Sequence, residues 1–86
     1  MKILKSPIIC EECKLPIKSV AEVMVEWIDD DVSISDIRVI HNPKYSPSGN
    51  CYKHSLHYHR QYSHLDSILK NQALLQKLGI KVFDLK

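Results

Sequence analysis

Two short ligand pairs, far apart in the chain, restrict what it can fold into more than any other feature. Cys10 and Cys13 bracket "CEEC", and Cys51 and His54 bracket "CYKH", with residues 14 to 50 between the pairs. Thiolate and imidazole are soft or borderline donors that suit zinc, whereas calcium and magnesium take oxygen. A C-x2-C turn curls its backbone around one ion, although the same pair can also serve redox chemistry. Residues i and i+3 in the first turn of a helix project side by side. Four such donors make the tetrahedral set of a structural Zn²⁺ site, with Cys10, Cys13, Cys51 and His54 as the expected ligands. Convergence of both pairs would fasten the front of the chain to its second half, and binding free energy would become folding free energy. With 86 residues the chain is expected to form one zinc-stabilised domain, residues 1–86, whose small apolar core leaves such a fastener much to do.

The segments between the pairs read as a hairpin and a loop. "VAEVMVEWI", residues 20–28, places Ala21, Val23, Val25 and Trp27 on one face and Glu22, Met24 and Glu26 on the other. "DDDVS" comes next as a solvated acidic turn without calcium-ligand spacing. "ISDIRVIH", residues 34–41, alternates again, with Ile37, Val39 and His41 opposite Asp36, Arg38 and Ile40. Two such runs predict an antiparallel hairpin, with Trp27 in the core. "NPKYSPSGN" is a loop ending at Asn50, which is placed to cap a helix from Cys51 to about Tyr62. There the helix dipole would favour a Cys51 thiolate. Ser63 and Asp66 mark a fresh helix start, Leu65, Ile68, Leu69, Leu75 and Leu78 recur at helical spacing, and Gly79 is a natural stop. "IKVFDLK" then reads as a last strand or a packed tail.

The fourth ligand has rivals. His41 ends the second strand and could approach the same point, and His57 lies one turn beyond His54. The order of knuckle, hairpin and helix resembles the treble-clef zinc finger over roughly residues 8–62. That resemblance implies an α+β, treble-clef-like zinc domain: an N-terminal knuckle, a β-hairpin and C-terminal helices, with the second ligand pair in a first helical turn. One departure is Lys14, since knuckles of this family usually carry glycine after the second cysteine. A second resemblance is to small bacterial and phage proteins sharing the pattern of Val25, Glu26 and Trp27, then Ile40 and His41, then Cys51 and Tyr52. It suggests a phage or mobile-element origin and implies no activity.

Composition and charge narrow the function classes. Three cysteines, an odd number, suit free or metal-bound thiols in a reducing compartment. "MKILKSPIIC" interrupts its apolar residues with lysines and a proline, so neither a secretory core nor a membrane span is expected, and the cytoplasm is the expected location. Residues 21–40 hold six acids and one arginine, while residues 41–86 hold seven bases and two aspartates. That asymmetry permits weak contact with an anionic partner without demanding it.

Tyr52, Tyr58, Arg60 and Tyr62 are the candidate partner-binding residues, since tyrosine and arginine are favoured interface anchors. Lys53, Arg60, Lys70 and Lys77 could instead touch phosphates, but the acidic hairpin and small net charge favour a protein partner over nucleic acid. The leucine-bearing segment 64–78 could also join two copies. The competing enzymatic reading resembles HNH-type nucleases, in which His41 would be the general base with Asn42 beside it and His54 and His57 on a divalent ion. Ile40 stands where that family has an acid before the histidine, and His54 cannot serve two ions. The expectation is therefore a non-enzymatic regulatory module with structural zinc.

Overall fold

Alternating apolar residues carry most of the first half of the chain into strands, and the computed structural model describes residues 2–47, 51–52 and 60–83. In chain order these form β1 (Lys2–Lys5), β2 (Ile8–Ile9), β3 (Pro16–Ile17), β4 (Val23–Asp29), β5 (Ile34–His41), β6 (Arg60–His64), α1 (Leu65–Leu69), α2 (Gln72–Leu78) and β7 (Ile80–Phe83). The result is a small mixed α/β structure. A three-stranded sheet runs β5-β4-β6, a short ribbon pairs β2 with β3, and a second ribbon pairs β1 with β7.

The expected hairpin is present. β4 and β5 pair antiparallel from Val23↔His41 to Asp29↔Ile34, with a register shift between Glu26 and Ile28. There Trp27 faces the extra residue of a bulge, and nearby Asp36 takes a left-handed φ of 50°. The hairpin tip closes on aspartate side chains: Asp30 Oδ1 accepts from Val32 N at 3.0 Å and Ser33 N at 2.9 Å.

β4 departs from the half-buried strand that its alternation predicts. Val23, Met24, Val25, Glu26 and Trp27 are all buried, so both of its faces are covered. Glu26, expected on the solvent side, is fully enclosed because Arg38 Nη1 donates to its Oε1 at 2.7 Å across the strand pair. A buried carboxylate without that cation would be strongly destabilising.

The helix expected from Cys51 to about Tyr62 is not formed at either end. Cys51 and Tyr52 have no regular secondary structure, and Arg60, Gln61 and Tyr62 belong to β6; Asn50 and residues 53–59 lie outside the described residues. The physical reason is the second edge of β4. Its N–H and C=O groups sit in the core and need partners, and β6 supplies them from Met24↔His64 to Ile28↔Arg60.

The leucine-rich segment forms two helices rather than one. Asn71 breaks the run, and its side chain caps α2 by accepting from Leu74 N at 3.1 Å. Leu65, Ile68 and Leu78 are buried in the chain's own core, so the apolar stripe that could have paired two copies is largely occupied. Gly79 ends α2 in the left-handed region at φ 66°, and its N–H reaches Gln76 O at 3.0 Å. β7 then runs parallel to β1, from Lys2↔Ile80 to Lys5↔Phe83, and buries Leu4 and Ile80.

A Cβ placed on Gly79 would meet nothing within 4 Å, so only its backbone conformation demands glycine. Gly79→Ala is expected to lower stability by about 1 kcal/mol, with Gly79→Asn costing less, as read by urea unfolding.

Candidate metal centre

The Cys10–Cys13 turn is built from backbone bonds before any ligand chemistry is considered. β2 and β3 flank it, Cys10 N donates to Leu15 O at 2.9 Å, and Lys14 N donates to Cys10 O at 3.0 Å. Lys14 adopts φ 66°, the left-handed conformation that glycine supplies without strain. The departure noted at this position is thus one of residue type and not of backbone shape. Lys14 Nζ also donates to Glu11 O at 2.9 Å within the turn.

Glu11 docks the turn on the outer edge of β5. Its N–H donates to Val39 O at 2.8 Å, while its Oε2 accepts from Val39 N at 2.6 Å. A carboxylate and one amide therefore satisfy both backbone groups of an edge residue two positions from His41. Arg38 adds a second tie, reaching Glu12 Oε1 at 3.1 Å and Cys51 O at 3.4 Å through Nη2, beside its bond to Glu26. One guanidinium thus links the hairpin, the turn and the Cys51 segment.

The segment after β5 returns to the same place. Asn42 Oδ1 accepts from Lys44 N at 3.1 Å and starts a 3-10 turn over Pro43–Tyr45. Ser46 comes next, and its Oγ donates to Cys51 Sγ at 3.0 Å. His41 Nδ1 lies 3.3 Å from Cys13 Sγ and 3.9 Å from Cys51 Sγ.

Cys10, Cys13, His41 and Cys51 each bring one donor atom to this point, all within 4.8 Å of one another. An ion with ligands at about 2.0–2.3 Å has tetrahedral edges of about 3.3–3.8 Å, so small side-chain adjustments close the cage. All three cysteines are free thiols. Cys10 and Cys51 are wholly buried, His41 nearly so, and Cys13 is half-buried. Three thiols and one imidazole in such a setting form a cluster fit for a metal ion such as zinc.

Among the described residues the fourth donor is His41, the principal alternative on the sequence evidence. His54 and His57 lie outside the described residues, as does Tyr58. The signal for His41 was present in the strand pattern, because Val39 and His41 share parity at the end of β5. Of the other candidate partner residues, Tyr62 is 53% exposed and Tyr52 packs partly buried against the core. The Arg60 side chain is 8% exposed and donates to Asp36 Oδ2 at 2.6 Å.

Comparison of the chain with protein-family models, curated proteins and solved structures finds no match. The treble-clef resemblance therefore has no support from relatives, and its helix bearing the second ligand pair is not formed at Cys51. Among the described residues, no helix is long and apolar enough to cross a membrane.

The thiols are not equivalent. Burial opposes ionisation of Cys10, but the backbone amides of Cys13, His41 and Glu12, helped by the His41 ring, overcome it and lower its pKa from 9.0 to about 6. Burial raises the pKa of Cys51, and the neighbouring cysteines add to that against the Ser46 hydroxyl. A thiol depressed by folding adds stability that is complete above pH 9 and disappears as the pH falls through about 6. Raised Cys51 acts in the opposite sense only above its ordinary value.

Chelator-treated, reduced protein should therefore have a higher urea midpoint at pH 8 than at pH 6, with the difference reduced in Cys10→Ser. Lys14→Gly should leave stability unchanged or raise it by up to about 1 kcal/mol, the left-handed strain outweighing the added chain entropy. A loss on urea unfolding would show that the Lys14 side chain holds the turn.

Proposed function

We propose that this chain is a small zinc-binding interaction module without catalytic activity. In this reading Cys10, Cys13, His41 and Cys51 hold a structural Zn²⁺, and the surface thereby stabilised binds a protein partner. The observation that carries it is the convergence of four soft or borderline donors from three separate segments on one buried point. Bound zinc would join the Cys10–Cys13 turn, the end of β5 and the Cys51 segment, supplying folding free energy that a small core lacks.

Two observations support the choice of partner and the absence of catalysis. Of the cations considered for phosphate contact, Arg60 is enclosed beside Asp36, and Lys77 Nζ lies 3.4 Å from Asp29 Oδ2. That favours a protein over nucleic acid, with Tyr62 as an exposed aromatic anchor. His41, the general base of the nuclease reading, faces two cysteine sulfurs and is better used as a ligand. Free thiols around a metal suit a reducing compartment such as the cytoplasm.

Reduced protein purified without added chelator should contain one zinc per chain. Its removal should lower the melting temperature by more than about 10 °C, given the size of structural-zinc binding energies. His41→Ala should weaken zinc binding at least about tenfold in a chelator competition. Metal-free protein of unchanged stability would overturn the reading, and steeply salt-dependent retention on DNA would transfer it to a nucleic-acid partner.

A further inference from the structure

The four donors differ in access. Cys10 and Cys51 have no exposed surface and His41 is only 5% exposed, whereas Cys13 is half-buried. Of the four residues only Cys13 has appreciable exposed surface, so it is the one an oxidant arriving from solvent reaches first. Thiolates react with peroxides according to their ionisation and exposure, and a metal keeps its thiolates deprotonated.

The fate of an oxidised Cys13 depends on which thiolate is free to respond. Cys10 shares a tight turn with Cys13, and that turn is closed by Lys14 N to Cys10 O at 3.0 Å and Cys10 N to Leu15 O at 2.9 Å. Neither bond needs a metal, so the two side chains stay apposed if one is modified. Cys51 approaches from another segment, and its sulfur accepts the Ser46 hydroxyl at 3.0 Å. That hydrogen bond draws on the lone pair an attacking thiolate would use.

We propose that Cys13 is a modification site for hydroperoxides, and that its oxidation releases the metal by forming a Cys10–Cys13 disulfide. This rests on the zinc reading above. In the first step the Cys13 thiolate attacks the peroxide: an S–O bond forms, the O–O bond breaks, and hydroxide leaves when the oxidant is H2O2. In the second, the Cys10 thiolate attacks the sulfenic sulfur: an S–S bond forms, the S–O bond breaks, and a second hydroxide leaves. Two thiolates lose two electrons and one peroxide gains them. His41 and Cys51 alone cannot hold a structural zinc, so the tie between the hairpin end and the turn is lost. The ribbon of β2 and β3 and the Arg38 contacts do not include a sulfur–metal bond and remain. A dithiol reductant with zinc restores the starting state.

The test treats zinc-loaded, reduced protein with H2O2 and follows metal release with a chromogenic chelator. Parallel samples are alkylated, digested with trypsin and weighed. Ser6 to Lys14 is a tryptic peptide holding both cysteines. It should become two hydrogens lighter in step with metal release, while Cys51 stays available for alkylation. Cys13→His keeps four donors without the accessible sulfur and should release zinc about tenfold more slowly. Should that variant fail to hold zinc, the order of events in the unaltered chain still decides.

Loss of the Cys51 thiol before the peptide changes would overturn the proposal. So would zinc retained at peroxide levels that oxidise a free thiol, with the zinc reading intact. Protein that binds no zinc at all would overturn both.

Discussion

The whole arrangement turns on the end of β5. His41 closes that strand, and its ring meets Cys13 from the turn between β2 and β3 and Cys51 from beyond the loop. The Cys51 segment has no regular secondary structure, and the turn rests on a short two-stranded ribbon and its bonds to Val39. Their positions are set by what converges at the strand end: a cluster of donors, and beside it the guanidinium of Arg38. The donors and the cation do complementary work. Arg38 makes hydrogen bonds that satisfy buried Glu26 and reach Glu12 and the Cys51 carbonyl. The sulfur–imidazole cluster is a set of close donor groups that a cation would bind together.

This division bears on what metal loss would do. The central sheet is paired on both edges of β4 and carries much of the apolar core. The Cys10–Cys13 turn has its own backbone bonds and its ties to Val39, so the segment at Cys51 depends on the cluster most. Metal binding in this chain would thus act on the fit of peripheral segments to a preformed sheet, in contrast with small fingers that are unfolded without their ion.

The sequence carried part of this openly. Period-two alternation located the hairpin to within a few residues, the C-x2-C spacing located the turn, and Gly79 located the end of α2. The strand at Arg60–His64, where the expected helix was to end, was hidden because "RQYSH" has no apolar alternation. Its strand character comes from the unsatisfied edge of β4, a demand made by tertiary structure and invisible in the local pattern. The burial of Arg60 was hidden for the same cause, since only pairing with Ile28 brings it beside Asp36 and under cover. Parallel pairing of β1 with β7 joins the two ends of the described chain, and no local signal announces such a contact. Buried Glu26 looked like a solvent-facing residue because alternation reports one covered face, while a central strand can have two. His41 was legible in kind, as a histidine ending a strand, but its place beside the three cysteines required the register.

In the proposed centre three sulfurs and the His41 ring surround one zinc ion. X-ray absorption at the zinc edge of the reduced protein tests it most directly, because sulfur at about 2.3 Å and nitrogen at about 2.0–2.1 Å give separable scattering. Three sulfurs and one nitrogen are expected, unchanged in His54→Ala and altered in His41→Ala. A spectrum with fewer sulfurs, or one altered by His54→Ala and indifferent to His41→Ala, would contradict it.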